Sequence, residues 1–203
     1  MKTILISLFL LLANFTFAEE NSVKKLNSAY KNIKDASGSF IQTSYIKDFD
    51  KTQKFKGKFY IKDNKIRWQY EGEFSQVIYL KGETLIVYDK NKKQAIQSSF
   101  SEEKFGQLPL ALLSRMADIE REFEITEKKP NVVILIPKTK MGNIKRIELI
   151  IHDEEFPIKS LKITDSLANT VKIEFHSVRI NNNLQDSIFK FVPSKDDTLL
   201  KYQ

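Results

Sequence analysis

Few side chains in this sequence could do chemistry, and they are badly spaced for it. The two histidines, His152 and His176, each end an alternating, strand-like segment. A structural or catalytic zinc site needs three or four ligands at recognisable spacing, and the chain contains no cysteine. Both histidines therefore read as strand-end or turn residues. The acidic groups Glu102-Glu103, Asp153-Glu154-Glu155 and Asp196-Asp197 fall in caps, turns or the tail. General acid–base catalysis needs carboxylates that converge in a cleft with displaced pKa values, which neighbouring loop acids rarely do. The motifs G-x-S-x-G, G-x-x-x-x-G-K-[ST] and H-E-x-x-H are all missing. No catalytic residue, metal or cofactor is expected, and the absences favour a protein that binds.

Apolar surface is what the elements around these residues supply. Residues 57–89 read GKFYIKDNKIRWQYEGEFSQVIYLKGETLIVYD, a run with period two. Phe55, Gly57, Phe59 and Ile61 share one face and Lys56, Lys58, Tyr60 and Lys62 the other. Ile66, Trp68 and Tyr70 then line one side of the next strand. Asp63-Asn64, Glu71-Gly72 and Lys81-Gly82-Glu83 are turn signals, and connections this short make an antiparallel meander. Residues 76–80 and 84–88 are apolar on both faces, so these strands are expected to be covered on both sides.

Outside the meander, Val23, Leu26, Tyr30 and Ile33 form a stripe at helical spacing over residues 21–35, with Asn21 or Ser22 as N-cap and Gly38 as the break. After Ser98 the strand pattern stops. Ser99-Phe100-Ser101-Glu102 fits a capping box, and Pro109 suits the first turn of a second short helix over 110–117. Phe100, Phe105, Leu108, Leu110, Leu112, Leu113 and Met116 are more than one apolar stripe requires. That insert should be sandwiched or should close over an apolar space. Alternation resumes at Phe123 and continues through Val171-Ile173-Phe175, with Phe189 and Phe191 as a last apolar pair before a charged tail. The expected total is about ten or eleven strands and three short helices. A closed or nearly closed sheet of this kind has either an ordinary packed core or a cavity for one small ligand. The apolar excess in the insert favours a lidded cavity.

The amino terminus sets the expected compartment. Met1-Lys2, the apolar run Ile4 to Ala13 and the small residues of Thr16-Phe17-Ala18 read as a cleaved secretory signal peptide over residues 1–18. One domain from residue 19 to 203, located in a periplasm, is the corresponding expectation. The net charge of +7 comes from scattered lysines rather than a stripe, which argues for a solvated surface and against a nucleic-acid partner.

With these segments in order, the chain resembles the LolA family of periplasmic lipoprotein carriers. The likeness rests on GSFIQ at 38–42, GKFYIKDNKIRWQY at 57–70, QVIYLKGETLIVYD at 76–89, LPLALL at 108–113 and ILIP at 134–137. It implies a mainly β fold, an incomplete antiparallel β-barrel closed by a lid of short helices over a hydrophobic cavity. It also implies a non-enzymatic carrier, expected as a monomer. Such a carrier takes lipoprotein acyl chains from an ATP-driven, ABC-type releasing complex of the inner membrane and passes them to a lipid-anchored outer-membrane receptor. The expected lipid-binding wall is Phe40, Phe59, Ile61, Ile66, Trp68 and Tyr70, with Leu108, Leu110, Leu112, Leu113 and Met116 from the insert. Where relatives carry an Arg-Pro pair whose arginine latches the lid, this chain has Lys62-Asp63, so Lys62 is the candidate latch. A lysine lacks the planar guanidinium fork, which implies a looser latch. The alternatives are a general carrier of lipids or other hydrophobic ligands, and a lipid-sensing regulatory domain, on the same scaffold.

Overall fold

The period-two pattern folds most of the chain into one sheet. The computed structural model describes Val23 and residues 26–100, 119–129 and 131–202. The strands are β1 (Asp35–Ile46), β2 (Lys51–Lys62), β3 (Lys65–Glu71), β4 (Gln76–Lys81), β5 (Thr84–Asp89), β6 (Gln94–Ser99), β7 (Phe123–Lys129), β8 (Val132–Pro137), β9 (Ile144–Ile151), β10 (Ile158–Asp165), β11 (Thr170–Ile180) and β12 (Thr198–Lys201). Helical residues 26–31 form α1, and α2 is the single turn Ile119–Glu122. Two 3-10 turns, Lys47–Phe49 and Asp186–Phe189, complete the described elements. Among the described residues no helix is long and apolar enough to cross a membrane.

The strands join in the order β12-β6-β5-β4-β3-β2-β1-β11-β10-β9-β8-β7. This is an open, curled sheet, the incomplete barrel that the family resemblance implied. Two meanders compose it, β1 to β6 and β7 to β11, and they meet where β1 pairs antiparallel with β11. Every other pairing is antiparallel except that of β12, which runs parallel to β6 with Leu199 opposite Ala95. Twelve strands exceed the expected ten or eleven. The added strand, β12, lies in the tail read as merely charged, where four residues are too few for a period to show.

A second departure concerns the start of the sheet. The helix predicted over 21–35 is described at Val23 and 26–31, and the chain is already extended at Asp35. Gly38 therefore sits inside β1 rather than stopping a helix. A Cβ there would come within 2.9 Å of the Phe59 ring and 3.0 Å of the His176 carbonyl oxygen. The glycine permits this close approach beside a register shift between β1 and β11. The expected turns do form, with Asp63 (φ 52°) and Gly82 (φ 56°) in the left-handed region.

Both covers of β4 and β5 are visible. Ile78, Leu80 and Leu85 belong to the buried cluster on the inner, concave face. On the outer face, the chain after β11 folds back so that Phe191 lies 5.9 Å from the Tyr79 ring and 5.0 Å from that of Tyr88. Phe189, in the last 3-10 turn, is buried as well. The Phe189–Phe191 pair is thus outer-face packing.

Candidate binding face

Six residues expected in a lipid-binding wall come together on the concave face. Strand register makes Phe59 the neighbour of Trp68, Ile61 of Ile66, and Gly57 of Tyr70, with Phe40 opposite Gly57 on β1. Phe40, Phe59, Ile61, Ile66, Trp68 and Tyr70 are all buried. Gly57 explains how their rings fit. A Cβ on it would stand 2.7 Å from the tip of the Phe40 ring and would also strike the Gln69 carbonyl oxygen. With only hydrogen at that position, Phe40 lies flat and stacks on Trp68, centroids 3.9 Å apart and planes 25° apart.

The aromatic contacts continue in both directions. Phe59 lies 6.0 Å from Trp68 and packs edge-on to Phe175 at 5.3 Å, and Phe156 bridges from Phe175 to Tyr30 of α1. On the other side Tyr70 meets Phe40, Phe55 and Phe74 at 5.5, 5.8 and 5.1 Å. Offset and edge-to-face pairs of this kind add to what area burial alone provides. Leu135, Ile147, Leu149, Leu161, Ile163 and Ile173 of the second meander extend the same buried cluster. Their alternation was readable in the sequence. Their membership of this face depends on the β1–β11 pairing, which no local pattern reveals.

Burial falls away along one row of cross-strand neighbours. Trp68 is opposite Ile78, Ile78 opposite Val87, and Val87 opposite Ile96. Trp68 is fully buried, Ile78 nearly so, and Ile96 is 39% exposed. Phe74 is 41% exposed at the neighbouring turn. The apolar face therefore opens to solvent on the β6 side. Leu108, Leu110, Leu112, Leu113 and Met116, with Ser101-Glu102 and the second predicted helix, lie outside the described residues. Ser99, expected to open a capping box, instead ends β6, and Phe100 packs against the buried cluster.

The face carries a small polar cluster. The Tyr70 hydroxyl donates to Gln42 Oε1 at 2.9 Å, and Gln42 Nε2 donates to Ser44 Oγ at 3.0 Å. Burial pushes the Tyr70 phenol above its ordinary pKa, and that of Tyr30 further still. The Trp68 indole N–H acts on the Tyr70 hydroxyl as a donor and, with Gln42, opposes the rise at Tyr70. Tyr30 Oη and Asn27 Oδ1 are buried with no hydrogen-bond partner among the described residues.

Lys62 points to the outer side. Its ammonium donates to the Leu184 carbonyl oxygen at 2.7 Å and pairs with Asp186 at 3.0 Å. Both partners belong to the C-terminal segment, and the insert it was expected to latch is outside the described residues. Lys65 also reaches Asp186 at 3.0 Å, and Arg67 donates to the Ile188 carbonyl oxygen at 3.3 Å. Together Lys62 and Lys65 hold the Asp186 carboxyl down at a pKa of about 2. The Arg67 guanidinium is 5.6 Å from the ring centres of both Tyr60 and Tyr79. This C-terminal clamp was missed in the sequence, because its partners are more than a hundred residues apart.

Of the residues first examined for chemistry, His152 follows β9 as expected. His176, expected at a strand end, lies inside β11 because the strand continues past an irregularity at Ser177, and Glu102-Glu103 lie outside the described residues. His152 is half-buried, its Nε2 2.8 Å from the Phe156 carbonyl oxygen and its Nδ1 3.3 Å from Glu154. His176 is exposed on β11. Among the described residues no three His, Cys, Asp or Glu side chains gather to hold a metal.

An open antiparallel sheet curled around an aromatic-lined apolar face defines the half-barrel class. Within that class the chain belongs to the LolA family: the profile described as outer membrane lipoprotein carrier protein LolA matches residues 31–192. The chain is 28% identical over 183 residues to an outer-membrane lipoprotein carrier protein of Neisseria meningitidis, covering 88% of this chain and 86% of that one. It is 25% identical over 195 residues to the protein of the same name from Ralstonia nicotianae, covering 91% and 89%. Among solved structures, a LolA superfamily protein from Nitrosomonas europaea superposes with a TM-score of 0.51 at 13% identity, over 85% of this chain and 97% of that one. An uncharacterised conserved protein from Thermus thermophilus reaches 0.56 at 11% identity, over 89% and 99%. These two likenesses concern the fold.

Proposed function

We propose that this protein is a periplasmic carrier that holds the acyl chains of lipoproteins on its concave face. It receives them from an ABC-type releasing complex of the inner membrane and delivers them to an outer-membrane receptor, without catalysing a reaction. The observation that carries this reading is the continuous aromatic and aliphatic face centred on Trp68, open on the β6 side at Ile96. The family membership and the names of the relatives agree with it. Each methylene moved from water onto such a face is worth roughly 0.8 kcal/mol, so a multi-acyl anchor has ample driving force. Release then requires a cover whose opening is coupled to ligand occupancy. The apolar segment between β6 and β7 in the chain is the one we assign to that role.

The test is to purify the protein from a periplasmic extract and identify co-purifying molecules by mass spectrometry. Triacylated protein or peptide in the complex is the expected result. Recovery of free lipids alone would reassign the protein as a general lipid carrier. Recovery of no hydrophobic ligand from protein of intact fold would end the carrier reading.

A further inference from the structure

The two ends of the sheet differ in what their turns expose. At the end where β1 turns into β2, the strand-to-strand turns are residues 47–50, 72–75, 90–93, 138–143 and 166–169. Phe49 is 78% exposed there, Leu167 60% and Phe74 41%. Among the described residues, the turns at the opposite end (63–64, 82–83, 131 and 152–157) expose no large apolar side chain. Charge divides the same way. The first set carries Lys47, Lys90, Lys92, Lys93, Lys138 and Lys140 against Asp48, Asp50 and Glu73. With Lys92 and Lys93 set against Asp89 and Asp196, the remaining lysines still outnumber those acids. The second set carries Asp63, Glu83, Asp153, Glu154 and Glu155, with no lysine or arginine.

The apolar tips are held in place rather than trailing. The Phe49 and Leu167 turns are tied where the Lys47 backbone N–H donates to Asn169 Oδ1 at 3.0 Å. The buried Asp165 carboxylate fixes the second turn by accepting from the Leu167 and Asn169 backbone N–H groups and from Asn169 Nδ2. Ser166 N–H donates to the Asn143 carbonyl oxygen, which joins the lysine-bearing 138–143 turn to the same rim. Asp50 is drawn onto the Tyr45 hydroxyl at 3.0 Å. Beneath the two tied turns lies a cavity of about 270 Å³ lined by Ser44, Tyr45, Ile46, Ile163, Asn169 and Val171. Ile163 belongs to the buried cluster and Val171 packs against it, so apolar surface runs from the concave face toward these tips.

We propose that this rim docks on an anionic bilayer surface, with Phe49 and Leu167 entering the interface and the lysines lying among the head groups. Single apolar tips separated by polar turn residues do not make the compact central cluster on which a protein partner is gripped. A bilayer interface accepts each tip separately, and aromatic rings are at home in it. Lysines beside the tips add attraction to anionic lipid, and the acidic opposite end turns away from the same surface. The contact is shallow and reversible, and it does not depend on what the concave face holds.

The chain contains no cysteine, so one environment-sensitive fluorophore can be placed at Ser166→Cys, between the tips, or at Asn64→Cys, at the opposite end. Each labelled protein is mixed with vesicles of phosphatidylcholine alone or with added phosphatidylglycerol, and binding is measured by co-sedimentation. Anionic vesicles are expected to bind about tenfold more tightly than neutral ones, less so as salt is raised. Emission should shift to the blue at residue 166 and not at residue 64. Phe49→Ser combined with Leu167→Ser is expected to weaken vesicle binding about tenfold at unchanged Tm, because both side chains already face water. Equal shifts at the two labels, equal affinity for the two vesicles, or undiminished binding by the double variant would overturn the proposal. A blue shift at residue 166 that appears without vesicles and grows with protein concentration would assign the rim to a second copy of the chain and overturn it too. Any of these failures leaves the carrier reading to be decided by its own co-purifying cargo.

Discussion

At Gly57 one missing methyl group governs the packing of the concave face. Gly57→Ala drives a Cβ against the Phe40 ring and the Gln69 carbonyl, and neither the stacked ring nor the strand backbone has room to yield. Overpacking of this kind typically costs 1–3 kcal/mol. A loss of about that size in a urea titration is expected, with a change in the fluorescence of Trp68 as Phe40 leaves its face. Unchanged stability and emission would mean the stack is not held by the glycine. Ile96 is the converse case. It is 39% exposed at the open end of the row, so Ile96→Glu should change stability by no more than about 0.5 kcal/mol. The carboxylate would nevertheless sit where acyl chains cross from water to the face. Weaker binding of a dipalmitoyl lipopeptide at nearly constant Tm is the expected signature, and undiminished binding would place the entry elsewhere. Gly57 was on the correct face by period alone, whereas the sequence reading assigned no face to Ile96. Their different exposures come from the curl of the sheet and from what covers it, which a local pattern does not contain.

At the level of elements, the C-terminal segment is fixed to the outer face by charge and by aromatic packing. Lys62 and Lys65 depress the Asp186 pKa to about 2 through the hydrogen bonds they donate. A carboxyl whose folded pKa is lowered contributes stability that is complete above its unfolded value and is lost as pH falls through the folded one. The difference in urea midpoint between wild type and Asp186→Asn is therefore expected to be constant above about pH 5. It should shrink between roughly pH 4 and 2. A difference that stays constant to pH 2 would detach the clamp from this carboxylate. Strand period predicted the meanders well because Asp63, Gly82 and similar residues mark the breaks. It gave no sign of the clamp, whose attachments at Lys62, Lys65 and Arg67 resemble ordinary polar-face residues until the chain returns. The same holds for β12, whose partner β6 ends about a hundred residues earlier.

For the whole molecule, the decisive arrangement is that β6 and β7 are next to each other in the chain's strand order and far apart in the sheet. Leu108, Leu110, Leu112, Leu113 and Met116 fall between these two strands in the chain, outside the described residues. On the proposed function these residues face the acyl chains. Leu112→Glu is expected to abolish retention of a dipalmitoyl lipopeptide while circular dichroism still shows full strand content. Undiminished retention would count against a lid in this segment. Fold class and the apolar face of β2 and β3 were legible from alternation, and the family from the order of its segments; the inward side of β4 and β5, apolar on both faces, was not. The joining of the two meanders was not, since Phe40 opposite Phe175 is a pairing between distant parts of the chain.

That pairing also sets a timetable. The first meander needs only short turns and forms quickly from local contacts, and the second does the same. The seam between them must wait for residues 170–180, because β1 has no partner on that side until β11 has been made. Loop-closure entropy over so long a separation makes this a slow, late step, as contact order dictates. A chain delivered from its amino terminus thus passes through a stage with its central strand exposed along one edge. An edge of that length invites pairing with other chains, so the protein is most vulnerable to aggregation just before its last strands arrive.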